Sequence, residues 1–225
     1  MIDGILLFNK PILWTSHDAV DFVRRRVGQR QVGHAGTLDP LATGLLVILL
    51  GGATKRFKEF EKLDKDYEGT LTLGLATDTL DLEGRILSTD ECAASAADVR
   101  KAFAGLTGEQ AQAAPLYSAV RVKGRKLYDL TRSGVAVNRL LRQITVTSFE
   151  PLRIDGPDVH FVLTCSKGTY VRSLCDEVGR RLGCGAVLSS LVRRRIGGDH
   201  LKDALDEPRL GRMTPAQIRE HLQRV

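Results

Sequence analysis

The stretch Gly33-His34-Ala35-Gly36-Thr37-Leu38-Asp39-Pro40-Leu41-Ala42-Thr43-Gly44 runs directly into Leu45-Leu46-Val47-Ile48-Leu49-Leu50. A continuous apolar run of this length reads as an interior strand and must be buried. The segment before it reads as a turn-rich loop. Its glycines allow tight turns and close approach of another backbone, and the residue before a proline is pushed toward extended geometry. Asp39 is therefore expected as a lone carboxylate, held rigidly at the edge of a core above a floor of small residues. That arrangement suits chemistry better than packing. A carboxylate can act as nucleophile, general base or metal ligand. No second carboxylate lies in the motif, which argues against a metal or a glycosidase pair. The competing reading is an Asx-turn aspartate before a proline, which is common.

The chain has 225 residues, 43% of them hydrophobic and 27% charged, ordinary values for a globular protein with a sizeable core. No apolar run approaches the roughly 20 residues of a membrane span. Met1-Ile2-Asp3-Gly4 lacks the basic region of a signal peptide, so a cytoplasmic location is expected. Cys92, Cys165, Cys175 and Cys184 form no Cys-x-x-Cys pair, so no metal site is expected. Cys165 and Cys175 fall on apolar faces and read as core thiols.

The net charge of +6 is unevenly spread. Residues 121–143 hold seven basic side chains (Arg121, Lys123, Arg125, Lys126, Arg132, Arg139, Arg142) against one acid, Asp129. Arg24-Arg25-Arg26 and Arg193-Arg194-Arg195 add two clusters, whereas residues 78–98 carry six acids and only Arg85. Segregated charge suits one face that meets phosphates and another that does not. Each cluster alone reads as a solvated face.

Strand and helix signals are interspersed without strict alternation. Ile2–Phe8 reads as a buried strand, and Ser16 as the cap of a helix to about Val27. Ala53, Phe57, Phe60 and Leu63 make a helical stripe, and Leu71, Leu73 and Leu75 alternate. Ser95 with Asp98 resembles a capping box opening a helix to about Ala104. Val159, Phe161, Leu163 and Cys165 alternate. Val171, Leu174, Cys175, Val178 and Leu182 form a helical stripe closed by Gly183. Thr214, Pro215 and Gln217 open a final helix, with Met213–Val225 read as one helix. Antiparallel pairs are expected near residues 66–88 and 144–166. The fold class is α+β, with a central mixed, mostly antiparallel sheet flanked by helices.

A second candidate segment is Ser166-Lys167-Gly168-Thr169-Tyr170-Val171-Arg172. With Thr169 as N-cap, Arg172 sits in the first helical turn, where a cation opposes the helix dipole. A carboxylate such as Asp39, or a substrate phosphate, would compensate it. The bland alternative is a solvent-exposed arginine. Tyr67, in Asp66-Tyr67-Glu68, reads as packing or as a platform for a nucleic acid base. His34 is a turn histidine or a wedge into a base stack.

Together these segments resemble the TruB family of pseudouridine synthases. The resemblance is carried by Gly33–Gly44 with Asp39-Pro40, by the Tyr67 segment, by Tyr117-Ser118-Ala119 leading to Gly124-Arg125-Lys126-Leu127-Tyr128, and by Lys167–Arg172. Gly183-Cys184-Gly185-Ala186 followed by Leu191-Val192-Arg193-Arg194 extends it, so that it covers roughly residues 2 to 197. It implies the pseudouridine synthase fold with an RNA-gripping insertion at 117–143. It also implies isomerisation of uridine-55 in the T-loop of tRNA, with no cofactor and no metal. Asp39 is implied as nucleophile, Tyr67 as the ring stacked on the extruded base, and Arg172 as the partner of Asp39. Tyr170 lines the pocket, Leu191 packs on the base, and His34 fills the space the base vacates. Lys10 and Lys167 support the site, and Arg121, Lys123, Arg125 and Lys126 hold the RNA. Residues 199–225 resemble the family poorly. The expectation is a single catalytic domain over 1–225 without a C-terminal RNA-binding domain of the PUA type, working as a monomer. A non-catalytic tRNA-folding protein on the same scaffold is the alternative. A carboxylate hydrolase fits worst, because it leaves the basic stretch unexplained.

Overall fold

The computed structural model describes residues 2–117, 121–122, 125–126 and 141–223. The elements in order are β1 (Gly4–Lys10), α1 (Ser16–Val27), β2 (Val32–Ala35), β3 (Ala42–Leu50), α2 (Phe57–Glu61), β4 (Lys65–Leu73), β5 (Leu75–Thr77) and β6 (Ile86–Thr89). There follow α3 (Ala96–Ala104), β7 (Gly108–Ala113), β8 (Arg121–Val122), β9 (Arg125–Lys126), β10 (Leu141–Asp155) and β11 (Asp158–Cys165). The chain closes with α4 (Val171–Leu182), β12 (Ala186–Ile196), β13 (Asp199–His200), α5 (Glu207–Arg212) and α6 (Pro215–Glu220). Two compact units result, Met1–Glu68 with Leu191–Val225, and Gly69–Ser190.

In the first unit the apolar run forms the interior strand its composition demands. β3 pairs antiparallel with β1, from Gly4↔Leu50 to Lys10↔Gly44. On its other edge, β2 pairs antiparallel with its C-terminal half, and Leu191–Arg193 of β12 run parallel to Ala42–Gly44. Both faces are covered, so alternation disappears from the sequence. One face packs Ile5, Leu7, Leu45, Val47 and Leu49 against Ala35, Ala53, Phe60 and Ile196. On the other, Phe8 meets Phe22 of α1, whose Ala19, Val20, Val23 and Val27 are buried.

The cap of α1 is Thr15 rather than Ser16. Thr15 and Asp18 form a reciprocal capping box, which leaves the Ser16 hydroxyl for another task. The last helix ends at Glu220 instead of running on to Val225. Gln223 turns back to exchange two backbone hydrogen bonds with Ile5, at 3.1 and 2.9 Å. An extended chain can satisfy the free edge of β1 and a helix cannot.

In the second unit β10 pairs antiparallel with β11 on one side and β7 on the other. Phe103 of α3 stacks against Phe149 at 4.3 Å, and Phe149 meets Phe161 edge-on at 5.2 Å. Such pairs add about 0.5–1.5 kcal/mol each beyond area burial. The helix α3 carries the Ser95–Asp98 capping box that its sequence announces. The Leu71–Leu75 alternation breaks at Gly74: Leu71 and Leu73 end β4, and Leu75 opens the hairpin of β5 with β6. Tyr170, not Thr169, is the N-cap of α4. The Thr169 hydroxyl donates instead to Ser166 O at 2.9 Å, closing the turn ahead of the helix.

Candidate active site

The loop from Gly36 to Leu41 is held at nearly every peptide. Asp39 O accepts from Ala42 N at 3.0 Å, closing a β-turn with Pro40 at its second position, where the fixed φ of proline fits. Ser16, buried at the start of α1, meets Leu38 twice. Its hydroxyl accepts from Leu38 N at 2.8 Å and donates to Leu38 O at 3.1 Å. Leu13 N donates to Pro40 O at 2.9 Å. Asp39 is half-buried between these fixed peptides.

Two buried cations complete the clamp. Lys10 is fully buried, and its ammonium donates to Pro11 O at 2.8 Å, Trp14 O at 2.6 Å and Pro40 O at 3.5 Å. Arg193 is 1% exposed. Its Nε donates to Leu45 O at 2.8 Å, Nη2 to Gly36 O at 2.8 Å and Nη1 to Thr37 O at 3.4 Å. Both cations are register partners of Gly44, from β1 and β12 respectively. Gly44 has φ +100°, and a Cβ there would lie 2.5 Å from Arg193 O, so only glycine permits this approach. Arg193 thus departs from the solvated face expected of its cluster, while Arg194 stays exposed. Arg194 pairs with Glu68 and Arg195 with Asp66 on either side of Tyr67.

His34 lies on β2 opposite Ile48. Burial first, then the Arg193 guanidinium and His17, hold its imidazole below the ordinary histidine range, because a desolvated ring beside a cation resists a second charge. Tyr67 on β4 is buried. Leu191 faces Ala42 in the parallel register, three residues past Asp39, and its carbonyl lies 3.5 Å from Thr43 Oγ1. The first unit therefore holds Lys10, His34, Asp39, Tyr67 and Leu191.

The second unit holds Lys167, Tyr170 and Arg172. Lys167 is exposed. The Tyr170 backbone is fixed by Gln112, whose amide accepts from Tyr170 N at 2.8 Å and donates to Tyr170 O at 3.1 Å. The Arg142 guanidinium lies 5.9 Å from the Tyr170 ring centroid, a cation–π distance. Arg172 is buried, against the solvent-exposed alternative. Its Nη1 donates to Thr79 O at 2.8 Å and lies 3.2 Å from Asp81 Oδ2, and its Nη2 donates to Tyr117 O at 3.1 Å. Asp81 is itself buried and also accepts from Thr79 Oγ1 and from Glu83 N. Sequence reasoning missed Asp81, since nothing separates it from the other acids of its stretch. It missed Gln112 and Ser16 too, whose roles exist only through contacts distant in sequence. Lys123 lies outside the described residues, as do the side chains of Arg121, Arg125 and Lys126.

Among the described residues no cluster of three or more His, Cys, Asp or Glu could hold a metal ion, and no helix is long and apolar enough to cross a membrane. The model of the TruB family pseudouridylate synthase (N terminal domain) matches residues 24–171, more than half of the chain. The chain belongs to the TruB family of pseudouridylate synthases. It is 47% identical over 205 residues to the tRNA pseudouridine synthase B of Opitutus terrae, covering 91% of this chain and 85% of that protein. It is 41% identical to that of Aromatoleum aromaticum, covering 100% of this chain and 76% of the relative. In fold it resembles a chain from the crystal structure of a Cbf5-Nop10-Gar1 complex, with TM-score 0.72 and 26% identity. That likeness covers 98% of this chain but only 59% of the other. The α+β pseudouridine synthase fold expected from the TruB motifs is thereby established, as is the isomerase class.

Proposed function

We propose that this TruB family member isomerises uridine-55 in the T-loop of tRNA to pseudouridine, with Asp39 as the nucleophile. The observation that carries the reading is the clamped turn. Ser16, Lys10, Arg193 and Leu13 N hold the peptides on both sides of Asp39, which is the preorganisation a reacting carboxylate needs. The relatives named tRNA pseudouridine synthase B support tRNA as substrate.

The target base leaves its stack at a cost of a few kcal/mol. Tyr67 stacks on it, Leu191 packs against it, Tyr170 lines the pocket, and His34 fills the vacated space in the T-loop. The low proton affinity of His34 suits that role, since a neutral ring inserts among bases without a desolvated charge. Asp39 attacks the ribose C1′ or the uracil ring, or assists proton removal from the sugar, and Arg172 supplies a guanidinium to the reaction. The N1–C1′ bond breaks, the uracil turns, C5 bonds to C1′ as any bond to Asp39 is released, the C5 proton passes to solvent, and N1 takes up a proton in its place. Lys167 and the basic residues of 117–143, Arg121, Lys123, Arg125 and Lys126 among them, grip phosphates. The enzyme acts as a monomer in the cytoplasm and needs no metal or cofactor.

An unmodified tRNA transcript incubated with the protein, derivatised with carbodiimide and copied by primer extension tests this. A stop one nucleotide before position 55 is expected. A transcript without a stop, or with one elsewhere, would overturn the substrate assignment.

A further inference from the structure

Arg193 is an expensive way to fill a core. A buried guanidinium loses its hydration, and an apolar side chain of similar volume would pack there at less cost. What only an arginine supplies is a flat fork of donors at fixed angles. Here the fork spans the loop that carries Asp39. Nη2 and Nη1 reach Gly36 O and Thr37 O on the limb entering the loop, while Nε reaches Leu45 O on the limb leaving it. The arrangement is built into the backbone on both sides. Gly36 has φ +80°, and a Cβ there would sit 3.5 Å from Arg193 Nη1. Gly44 lets β12 approach until no side chain fits between.

We propose that Arg193 is a positioning residue for the isomerisation: by bridging the two limbs of the 36–45 loop, it sets where the Asp39 carboxylate points. The proposal rests on the reading of Asp39 as nucleophile. The side chains of Lys10 and Ser16 reach only the Leu38–Pro40 apex, and the β2–β3 ladder begins beyond it at Ala35↔Val47, so the span between Gly36–Thr37 and Leu45 is the part that Arg193 bridges. A lysine at position 193 keeps the charge but has one nitrogen, which cannot reach Leu45 O and Gly36 O in the same plane. Loss of the bridge lets the apex shift as a unit while the rest of the RNA-binding surface stays in place.

The test compares wild type, Arg193→Lys and Arg193→Gln. Single-turnover tritium release from C5-tritiated tRNA is measured at saturating enzyme, with tRNA affinity by filter binding and folding by thermal melts. A cooperatively folded Arg193→Lys that binds tRNA as the wild type does, with release slowed about 10–100-fold, is expected, since small misplacements of a reacting group cost that much. A folded Arg193→Lys with wild-type release overturns the inference while leaving Asp39 untouched. Wild type that releases no tritium overturns the reading of Asp39 and this inference with it. Where Arg193→Lys does not fold, Arg193→Gln decides by the same readouts. Failure of both to fold overturns positioning in favour of a structural role alone.

Discussion

Removing the Asp81 carboxylate should expose how much the second unit depends on one buried ion pair. Side-chain exposure is 3% for Asp81 and 7% for Arg172, and their charged atoms lie 3.2 Å apart. Breaking a pair this deep strands the guanidinium, at about 3–5 kcal/mol. Arg172 keeps its bonds to Thr79 O and Tyr117 O, which places Asp81→Ala toward the lower end of that range. Thr79 Oγ1 and Glu83 N lose their acceptor as well, adding about 1 kcal/mol each where water cannot replace it. A total near 5 kcal/mol corresponds to a fall in melting temperature of about 10–20 °C for a chain of this size. Native-state hydrogen exchange of the α4 amides in Asp81→Ala, Arg172→Ala and the double variant measures the free energies directly. The double variant should be more stable than the sum of the singles implies, by about 1–3 kcal/mol. Tritium release should fall in Asp81→Ala, because the Arg172 guanidinium loses its carboxylate partner and is held only by backbone carbonyls. Additive single effects, or a loss below about 1 kcal/mol, would refute the claim that the pair organises this region.

Ser16→Ala leaves the Leu38 amide and carbonyl without the hydroxyl that serves both; a loss of about 1–3 kcal/mol in urea unfolding is expected, together with slower turnover. The His34 imidazole binds its proton below its ordinary value of 6.5, so the unfolded chain takes up that proton first. Its contribution to stability is fully present above that value and is lost as the pH falls through it, levelling off below the folded pKa. Unfolding measured between pH 7 and 5, alongside an NMR titration of His34, checks the sign. Burial pushes the Cys184 thiol up to about 11, with Cys92 beside it, and pushes Cys175 higher still. Iodoacetamide at neutral pH should leave both unlabelled in the native protein and label both after denaturation.

What the sequence disclosed were features encoded locally. The apolar run after Gly44, the Ser95–Asp98 box and the Val171–Leu182 stripe each carry their own periodicity, and each became the expected element. The Asp39 turn was legible because glycine and proline act on their own backbone. Features made by distant partners were not legible. Arg193 reads as one of three adjacent basic residues until β12 is placed parallel to β3, when it alone turns into the core. Asp81 and Arg172 are separated by ninety-one positions, and only the turn around Thr79 unites them. Thr15 and Ser16 are chemically near-equivalent as caps; the choice follows from Ser16 being drawn to Leu38, a contact 22 residues away.

Tritium released from the uracil C5 of a tRNA, by wild type and by Asp39→Asn side by side, tests the central claim most directly. The substitution keeps the volume and removes the charge to which the attack is assigned. Release by the wild type, with none above background from a folded Asp39→Asn that still binds tRNA, is the predicted result. Equal release by both proteins would contradict the assignment of Asp39, however well its loop is held.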